Sequence, residues 1–244
     1  MRDPLDEWES MLRLAGGSRY RLMIDMTQIQ ERTNSVPQVA PSEDVPSQIA
    51  QTQLKTRYGE FQLLGFRFGP RHNNQEIMAL VKGDCWSAQW RESLPYVRVH
   101  SKCTTSEVFG SLQCDCADQM ALAEQIIEEH QGIIIYLDQE ARGNGLFAKV
   151  EIYKYMEQHK VSAHKAWEEL NAPDKRDYST AAAILHLLDI RAFRLLTNNP
   201  EKYLALSALG FETIQREPLE VPATPYDREY LLDKQRHGHL LHVF

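Results

Sequence analysis

The sequence lacks any run of 18 apolar residues, and its first 17 residues lack the basic start and apolar core of a secretory signal. We therefore expect no membrane association, and the expected location is the cytoplasm. Positive net charge is also lacking, because 34 acidic residues outnumber 27 basic ones and leave a formal charge of -7. Such a chain has no general attraction to nucleic acid, so we expect none as a partner, and any phosphate site must be a local cluster of Arg and Lys.

Cysteine is scarce, yet three of the four cysteines lie within the stretch "HSKCTTSEVFGSLQCDC", at Cys103, Cys114 and Cys116. In a reducing compartment, clustered cysteines more often bind metal or react than form disulfides. The three could converge on one Zn²⁺ ion if the intervening loop folds back. Two metal sites remain open: a closed structural site completed by Cys85, or an open three-cysteine site of the catalytic kind. Buried free cysteines are the less favoured reading, since C-x-C with a third cysteine nearby is uncommon by chance.

Residues 1–50 differ in composition from the rest of the chain. Residues 1–17 predict a short amphipathic helix that ends at a Gly-Gly pair, and residues 33–51 are rich in Pro, Ser, Gln and Asn. The second stretch has little to bury and is typical of an extended linker. Neither stretch indicates a role beyond solubility or a contact between subunits.

Alternating and β-rich runs follow, and then helical patterns alternate with strands. We predict strands at 59–69, 76–83, 96–101, 133–138, 192–197 and 211–219, and helices at 117–132, 146–160, 180–189, 198–210 and 227–238. An all-β start followed by alternating helices and strands indicates an α/β or α+β domain with a mixed sheet flanked by helices.

Charged and polar side chains cluster in several predicted loops. Arg98, His100 and Lys102 precede the first cysteine of the cluster, and "QEAR" places Glu140 close to Arg142. The loop "NAPDKRDYS" holds Asp174 and Arg176, and "LLTNNPEK" ends a strand and opens a helix, with Thr197 and Lys202. Each feature alone is typical of a solvated loop or a helix cap. Together they indicate a metal site, cations for an oligophosphate and a carboxylate for proton transfer or base recognition.

Four stretches, "RVHSKC…SLQCDC", "GIIIYLDQEARGNGL", "DKRDYSTAAAIL" and "LLTNNPEKYLAL", resemble the GTP cyclohydrolase II family. They occur in the order of the family and at nearly its spacing, from about Lys55 to about Leu241. The resemblance implies the α/β fold of that family, with residues 1–54 as an N-terminal extension and residues 55–244 as the catalytic domain. It also implies a homodimer.

The resemblance further implies an activity in riboflavin biosynthesis. The family hydrolyses GTP with zinc and magnesium: the imidazole ring opens, C8 leaves as formate, and diphosphate is released. The product is 2,5-diamino-6-(5-phosphoribosylamino)pyrimidin-4-one. Cys103, Cys114 and Cys116 match the ligands of the zinc ion, one per chain, which favours the open site and leaves Cys85 outside it.

Three residues match catalytic positions of the family. Asp174 matches the proton acceptor of the family, and Tyr153 matches the tyrosine near the reacting ring. Arg176 matches the arginine proposed to act at the α-phosphate, as a nucleophile or by stabilising charge. An always-protonated guanidinium is a poor nucleophile, so charge stabilisation is the better assignment. The residues that match the nucleotide site are Arg98, Val99, His100, Ser101, Lys102, Gln119, Glu140, Ala141, Arg142, Ser162, Thr197 and Lys202.

The sequence departs from the family pattern at several positions. Lys102 stands in place of Glu, Gln113 in place of Arg, Ala117 and Ala141 in place of Gly, and residues 143–145 in place of Asn-Ile-Gly. These departures motivate an alternative in which another purine or pyrimidine nucleotide is the substrate. A second alternative is a catalytically silent nucleotide-binding homologue, against which the retained Asp174, Arg176 and Tyr153 argue, since a pure binder does not need all three.

Overall fold

The computed structural model describes residues 45–242, which form one mixed seven-stranded sheet with helices on both faces. The strands are β1 (Gln48–Thr56), β2 (Gly59–Arg67), β3 (Glu76–Lys82), β4 (Tyr96–Ser101), β5 (Gly132–Leu137), β6 (Ala192–Leu196) and β7 (Thr213–Glu217). The helices are α1 (Ala88–Glu92), α2 (Thr104–Glu107), α3 (Cys116–His130), α4 (Glu140–Gly143), α5 (Gly145–His159), α6 (Ala163–Glu169), α7 (Ser179–Leu187), α8 (Pro200–Ser207) and α9 (Arg228–Arg236).

The order of the strands divides the sheet into two halves. The order is β1-β2-β3-β5-β4-β6-β7, and every pair from β1 to β5 is antiparallel. The pairs β5–β4, β4–β6 and β6–β7 are parallel. The chain leaves β4 to one side to form β5 and later returns to the other side to form β6. This reversal creates a crevice beside the carboxyl ends of β4 and β6, where open α/β sheets commonly bind ligands.

The central strand β5 shows how both faces of the sheet are covered. Ile133 and Ile135 are buried in a cluster with Ile184 of α7, whereas Ile134 is buried in a second cluster with Ile127 of α3. A strand between two helical layers is buried on both faces, which explains its continuous run of isoleucines. The two clusters hold the sheet rigidly between α7 and α3, and so position the strand ends.

The predicted mixed sheet and its flanking helices are confirmed, but several elements were missed. The edge strand β1 was not predicted because "QIAQTQLKT" is largely polar and mostly solvent-exposed, and residues 48–51 were wrongly assigned to the linker. The short helices α1, α2, α4 and α6 also went unpredicted, since none is long enough to show a helical period.

The structure does not test two predictions about the N-terminal part of the chain. The predicted helix over residues 1–17 lies outside the described residues. The proposed division at residues 54 and 55 falls inside β1, and the division into an extension and a catalytic domain stays a prediction. Within residues 45–242, no helix is both long and apolar enough to cross a bilayer.

Candidate active site

The candidate site lies where three neighbouring parallel strands end. β4 runs directly into Lys102 and Cys103, β5 is followed by Gln139 and Glu140, and β6 is followed by residues 197–199. Because the carboxyl ends of parallel strands meet at one edge of the sheet, segments far apart in sequence converge there. The cysteine loop, the "QEAR" turn and the "TNN" turn therefore lie on the same edge.

Three thiols meet at the first of these strand ends. Cys103 follows β4, and Cys114 and Cys116 stand at the start of α3, with all three Sγ atoms within 4.8 Å of one another. The Sγ atoms of Cys103 and Cys114 are 3.7 Å apart. Two sulfurs bound tetrahedrally to one zinc ion at about 2.3 Å are about 3.8 Å apart. The donor set and its spacing therefore fit zinc.

The fourth cysteine is separate from the trio. Cys85 is fully buried in the large core cluster, and its Sγ lies 3.7 Å from Oε1 of Gln62. Burial raises the pKa of the Cys85 thiol to about 12, so this thiol stays protonated at neutral pH. The closed four-cysteine site is not formed, and the open three-cysteine arrangement is the one observed.

A lysine on α5 contacts the thiol site directly. Nζ of Lys149 lies 2.9 Å from Sγ of Cys103 and 2.7 Å from Oε1 of Glu140. The pKa of Cys103 is lowered, because the thiols of Cys114 and Cys116 donate hydrogen bonds to its sulfur and because the Lys149 ammonium lies beside it. Cys103 is therefore the thiol of the trio that ionises most readily, and a thiolate is the form that binds metal.

Glu107 of α2 ties the first thiol residue to the sheet. Its Oε1 accepts hydrogen bonds from Nε2 of His100 at 2.8 Å and from the backbone N–H of Cys103 at 2.9 Å. Its Oε2 accepts a hydrogen bond from the Tyr136 hydroxyl at 2.5 Å. Although burial opposes ionisation, the hydrogen bonds from His100 and Tyr136 lower the pKa of Glu107, so the carboxylate stays ionised and holds Cys103 in place.

The turn after β5 is strained, and it places the buried carboxylate of Glu140 in the site. Ala141 and Arg142 both have left-handed backbone conformations, with φ of 53° and 57°, which cost a residue with a Cβ roughly 1–2 kcal/mol. Gly, the residue that the family resemblance implies at position 141, adopts this conformation without strain. The turn points Glu140 inward, where Oε2 accepts a hydrogen bond from the backbone N–H of Thr104 at 2.7 Å.

A cavity of about 120 Å³ adjoins the thiol site. Its walls come from β4, α3, the end of β6, α8 and the C-terminal segment. The side chains that line it are Arg98, His100, Ser101, Cys116, Gln119, Arg176, Thr197, Asn198, Asn199, Lys202, Tyr230, Lys234 and His239. Four basic side chains, Arg98, Arg176, Lys202 and Lys234, belong to this lining, and no carboxylate of the described residues does.

Two of these cations are deeply buried. Arg98 donates to the carbonyl oxygen of Leu196 at 3.0 Å and to Oε1 of Gln119 at 2.8 Å, and Nε of Arg98 has no partner. Lys202 donates to the carbonyl oxygen of Val99 at 2.7 Å. Burial lowers the pKa of Arg98 to about 10 and that of Lys202 well below its usual range. Both cations would gain from an anion in the cavity, which would offset the cost of their burial.

The structure brings many of the predicted site residues together. Eight of them line the cavity: Arg98, His100, Ser101, Cys116, Gln119, Arg176, Thr197 and Lys202. Val99 contributes its carbonyl to Lys202, and Asp174 contacts the guanidinium of Arg176 through both carboxylate oxygens. Tyr153 is beside the thiols, since its hydroxyl lies 3.3 Å from Oγ1 of Thr105. The roles assigned to these residues stay predictions.

Other predicted residues point elsewhere. Nζ of Lys102 pairs with Oδ1 of Asp138 at 3.0 Å; the Asp138 side chain is largely solvent-exposed and that of Lys102 is half-buried. Ser162 caps α6, since its hydroxyl accepts a hydrogen bond from the backbone N–H of Lys165 at 3.3 Å. The guanidinium of Arg142 lies over the ring of Trp167, with 5.1 Å between the two centres. None of these three side chains lines the cavity.

Sequence reasoning missed several residues of the site. Lys149 lies on the helical face that carries Tyr153 four residues later, and that spacing is a signal that could have identified it. Asp115 stands between two cysteines of the trio, which is a second such signal. Tyr230, Lys234 and His239 offered none, because only the folding of α9 against the cysteine loop brings them to the cavity.

The fold and the site define an α/β enzyme with a three-thiol centre beside a cationic cavity. The family model described as GTP cyclohydrolase II matches residues 47–218, and the chain belongs to this family. The predicted family and the hydrolase class are therefore confirmed.

Curated relatives that match the chain include several with the name riboflavin biosynthesis protein RibBA. The protein of Porphyromonas gingivalis (strain ATCC 33277) is 41% identical over 210 residues, which cover 82% of this chain and 48% of the relative. The protein of Chlorobium phaeovibrioides is 36% identical over 248 residues, which cover 97% of this chain and 57% of the relative. The chain thus spans about half the length of the curated relatives that it matches.

A solved structure among those that match shows only a weak likeness. It is RibBX, a two-domain 3,4-dihydroxy-2-butanone 4-phosphate synthase from A. baumannii, with a TM-score of 0.39 and 18% identity. The match covers 78% of this chain and 43% of that one, and the low TM-score supports no inference.

Proposed function

We propose that the chain is a zinc-dependent hydrolase that opens the imidazole ring of GTP at C8. The reaction releases formate and diphosphate and leaves 2,5-diamino-6-(5-phosphoribosylamino)pyrimidin-4-one. The observation that carries the proposal is the position of the three thiols, with Sγ atoms within 4.8 Å of one another, beside a cavity lined by four cations. Membership of the GTP cyclohydrolase II family supports the same reaction.

Cys103, Cys114 and Cys116 would hold the zinc ion. Three protein donors leave one position of a tetrahedral ion open, and zinc in such a site supplies Lewis acidity and a nucleophile at neutral pH. Lys149 and Glu107 hold Cys103 from its sulfur and from its backbone N–H, at 2.9 Å in each case. These contacts fix the first thiol before metal arrives, which lowers the cost of ordering the site.

The cations of the cavity would bind the oligophosphate of the nucleotide. Arg98, Arg176 and Lys202 supply charge, and the side chains of Thr197 and Asn199 add polar groups at the start of α8. An acidic chain with a net charge of -7 that gathers its cations into one cavity suits a polyanion. Mg²⁺ would enter with the nucleotide and neutralise part of its charge.

Asp174 and Arg176 form a pair whose members would separate during the reaction. Burial works against ionisation, but contact with the Arg176 guanidinium lowers the pKa of Asp174, so the paired carboxylate is a weak base. If Arg176 turns towards the α-phosphate, the guanidinium stabilises charge there and Asp174 becomes a stronger proton acceptor. One movement would thus serve both of the predicted roles.

Tyr153 and Glu140 flank the thiols in different ways. Burial raises the pKa of Tyr153, which therefore remains a hydrogen-bond donor at neutral pH and would orient the reacting ring. Both oxygens of Glu140 are already engaged, by Lys149 and by the backbone N–H of Thr104. Glu140 would position Lys149 and the start of α2, and its carboxylate would not bind the guanine base.

The departures from the family pattern lie away from the cavity lining, which favours GTP over another nucleotide. Lys102 pairs with Asp138, and Gln113 is exposed. The backbone N–H of Ala117 donates to Oγ of Ser106 at 3.1 Å. We also propose, on family membership alone, that the protein is a homodimer and acts in the cytoplasm.

The test is an assay of the purified, zinc-loaded protein with GTP and Mg²⁺. Formate, diphosphate and the diaminopyrimidine product are measured by mass spectrometry. Formate and diphosphate in equal amounts are expected, and removal of zinc with a chelator should abolish both. A folded, zinc-loaded protein that releases neither would overturn the proposal, and a panel of other purine and pyrimidine nucleotides would then identify a different substrate.

A further inference from the structure

The C-terminal segment forms one wall of the cavity, although the family match ends at residue 218. Tyr230 and Lys234 lie on α9, and His239 follows this helix. All three side chains line the cavity together with Cys116 and Arg98. The segment after the matched region therefore completes the site.

Lys234 is held rigidly at this wall. Its Nζ lies 2.7 Å from Oδ1 of Asp115 and 4.4 Å from the ring centre of Tyr230. Asp115 is buried between two cysteines of the trio, and its Oδ2 accepts a hydrogen bond from Nε2 of Gln119 at 2.5 Å. Gln119 in turn accepts from Arg98 at 2.8 Å. One buried network thus places the two cations, Lys234 and Arg98, on the same cavity.

The chemistry of this placement favours a phosphate ligand. An ammonium group has three N–H donors, and the contact with Asp115 uses one of them. The cavity that Lys234 lines is also lined by three further basic side chains, Arg98, Arg176 and Lys202, and by no carboxylate of the described part of the chain. Like charges that face one space repel each other, so an anion with several oxygens is the ligand that stabilises them all.

We propose that Lys234 is a substrate-binding residue that contacts the phosphate chain of the nucleotide, and that α9 is the wall of the site that delivers it. The assignment of the nucleotide as GTP rests on the proposed function. The assignment of Lys234 to a phosphate chain does not, because it can be tested with inorganic diphosphate alone.

The experiment is a calorimetric titration of the zinc-loaded full chain with inorganic diphosphate in the presence of Mg²⁺. Lys234→Met should weaken the binding of diphosphate by roughly tenfold to a hundredfold, the range expected for the loss of one charge-assisted hydrogen bond. Lys234→Arg should restore most of the affinity. Arg236→Met removes an exposed cation from the same helix and should leave the affinity unchanged.

A second variant guards against a failure of folding. Lys234→Met leaves the buried carboxylate of Asp115 unpaired, which is destabilising. The double variant Asp115→Asn with Lys234→Met replaces the charged pair by two neutral side chains, and its zinc content and thermal unfolding are measured alongside. A folded, zinc-loaded double variant that binds diphosphate as tightly as the unmodified protein would overturn the proposal. Absence of diphosphate binding by the unmodified protein would overturn it as well.

Turnover separates this proposal from the proposed function. If GTP is the substrate, Lys234→Met should raise KM for GTP more than it lowers kcat, and it should leave inhibition by guanosine, which has no phosphate, unchanged. If Lys234→Met abolishes diphosphate binding while the unmodified protein releases no formate from GTP, the assignment of Lys234 stands and GTP ring opening falls. If the unmodified protein releases formate from GTP and Lys234→Met binds diphosphate as tightly as the unmodified protein, GTP ring opening stands and the assignment of Lys234 falls.

Discussion

The antiparallel and parallel halves of the sheet carry similar cores but serve different purposes. Strands β1 to β3 follow one another in sequence and pair with their neighbours, starting with a two-residue turn between β1 and β2. Strands β4, β5 and β6 are separated by long helical crossovers and pair in parallel. The residues that line the cavity come from the parallel half and from the segments that follow its strands, and the antiparallel half supplies none of those identified.

The difference has a topological cause. Antiparallel neighbours alternate in direction, so their carboxyl ends point to opposite edges and cannot gather side chains at one place. Parallel strands end at one edge, where three loops of different origin meet. The antiparallel half therefore contributes stability, and the parallel half contributes stability and chemistry.

The largest contrast between the halves is expected from their cysteines. Cys114→Ser removes one of three metal donors, so zinc content should fall from about one per chain to less than about a tenth, and formate release should drop by at least about 1000-fold. Cys85→Ser, in the core beyond β3, should keep zinc and activity and lose only roughly 1–2 kcal/mol of stability through the buried hydroxyl. Metal analysis and the formate assay provide the comparison. Full activity of Cys114→Ser without metal would refute the zinc assignment.

A substitution that creates a cavity in the core of the antiparallel half should lower the stability of the protein without changing metal or substrate binding. Leu64 of β2 is fully buried in the large core cluster. Leu64→Ala should lower the free energy of unfolding by about 3 kcal/mol, through lost burial and the cavity left behind, as measured by urea denaturation. Zinc content and KM for GTP should stay within about twofold of the unmodified protein, since metal and substrate affinities depend on the other half. A tenfold change in KM would show that the two halves are coupled.

Acidification should lower the free energy of unfolding through His239, a residue that lines the cavity. Burial lowers the pKa of His239 from 6.5 to about 4, so between these values the unfolded chain binds a proton that the folded chain does not. Stability therefore falls as pH decreases, by about 2 kcal/mol between pH 7.5 and pH 5 from this residue. His239→Gln should retain that stability at pH 5, relative to its own value at pH 7.5. His159→Gln, an exposed control, should lose as much on acidification as the unmodified protein, and equal losses in all three proteins would contradict the assignment.

A substitution in the strained turn after β5 should have a smaller effect on stability, and it should stabilise the protein. Ala141→Gly removes the Cβ from a left-handed residue and should stabilise the protein by about 1 kcal/mol in thermal or urea unfolding. Ala123→Gly, in the middle of α3, is the matched control and should destabilise by at least about 1 kcal/mol. If both substitutions destabilise equally, the turn is not strained in solution.

The smallest effect is expected at Lys102. Its ammonium pairs with Asp138 at the surface, and exposed pairs of this kind contribute about 0.5 kcal/mol or less. Lys102→Glu should therefore change GTP turnover by less than about threefold and leave zinc content unchanged. A large rise in turnover would show that Lys102 redirects specificity, whereas abolished turnover with zinc retained would place Lys102 in the substrate site.

How much the sequence could predict differs between the two halves. The strands β2 and β3 were recognised because apolar and polar residues alternate along them, and the edge strand β1 was missed because its residues are largely polar and mostly solvent-exposed. In the parallel half, the long helices and β5 were recognised from apolar periodicity. The short helix α2 was missed, although it delivers Glu107 to the cysteine loop, because four residues are too few to show a period.

The sequence by itself determined the three thiol donors, since C-x-C with a third cysteine nearby is a local pattern with a definite chemistry. It also determined the α/β class and, through four motifs in order, the family. Only the tertiary structure decided which charges meet. Lys234 reaches Asp115 across 119 positions of sequence, Lys149 joins Cys103 to Glu140, and Lys102 turns away to Asp138. A local pattern specifies the kind of side chain, whereas its partner is set by the packing of helices on a parallel sheet, which acts at long range along the chain.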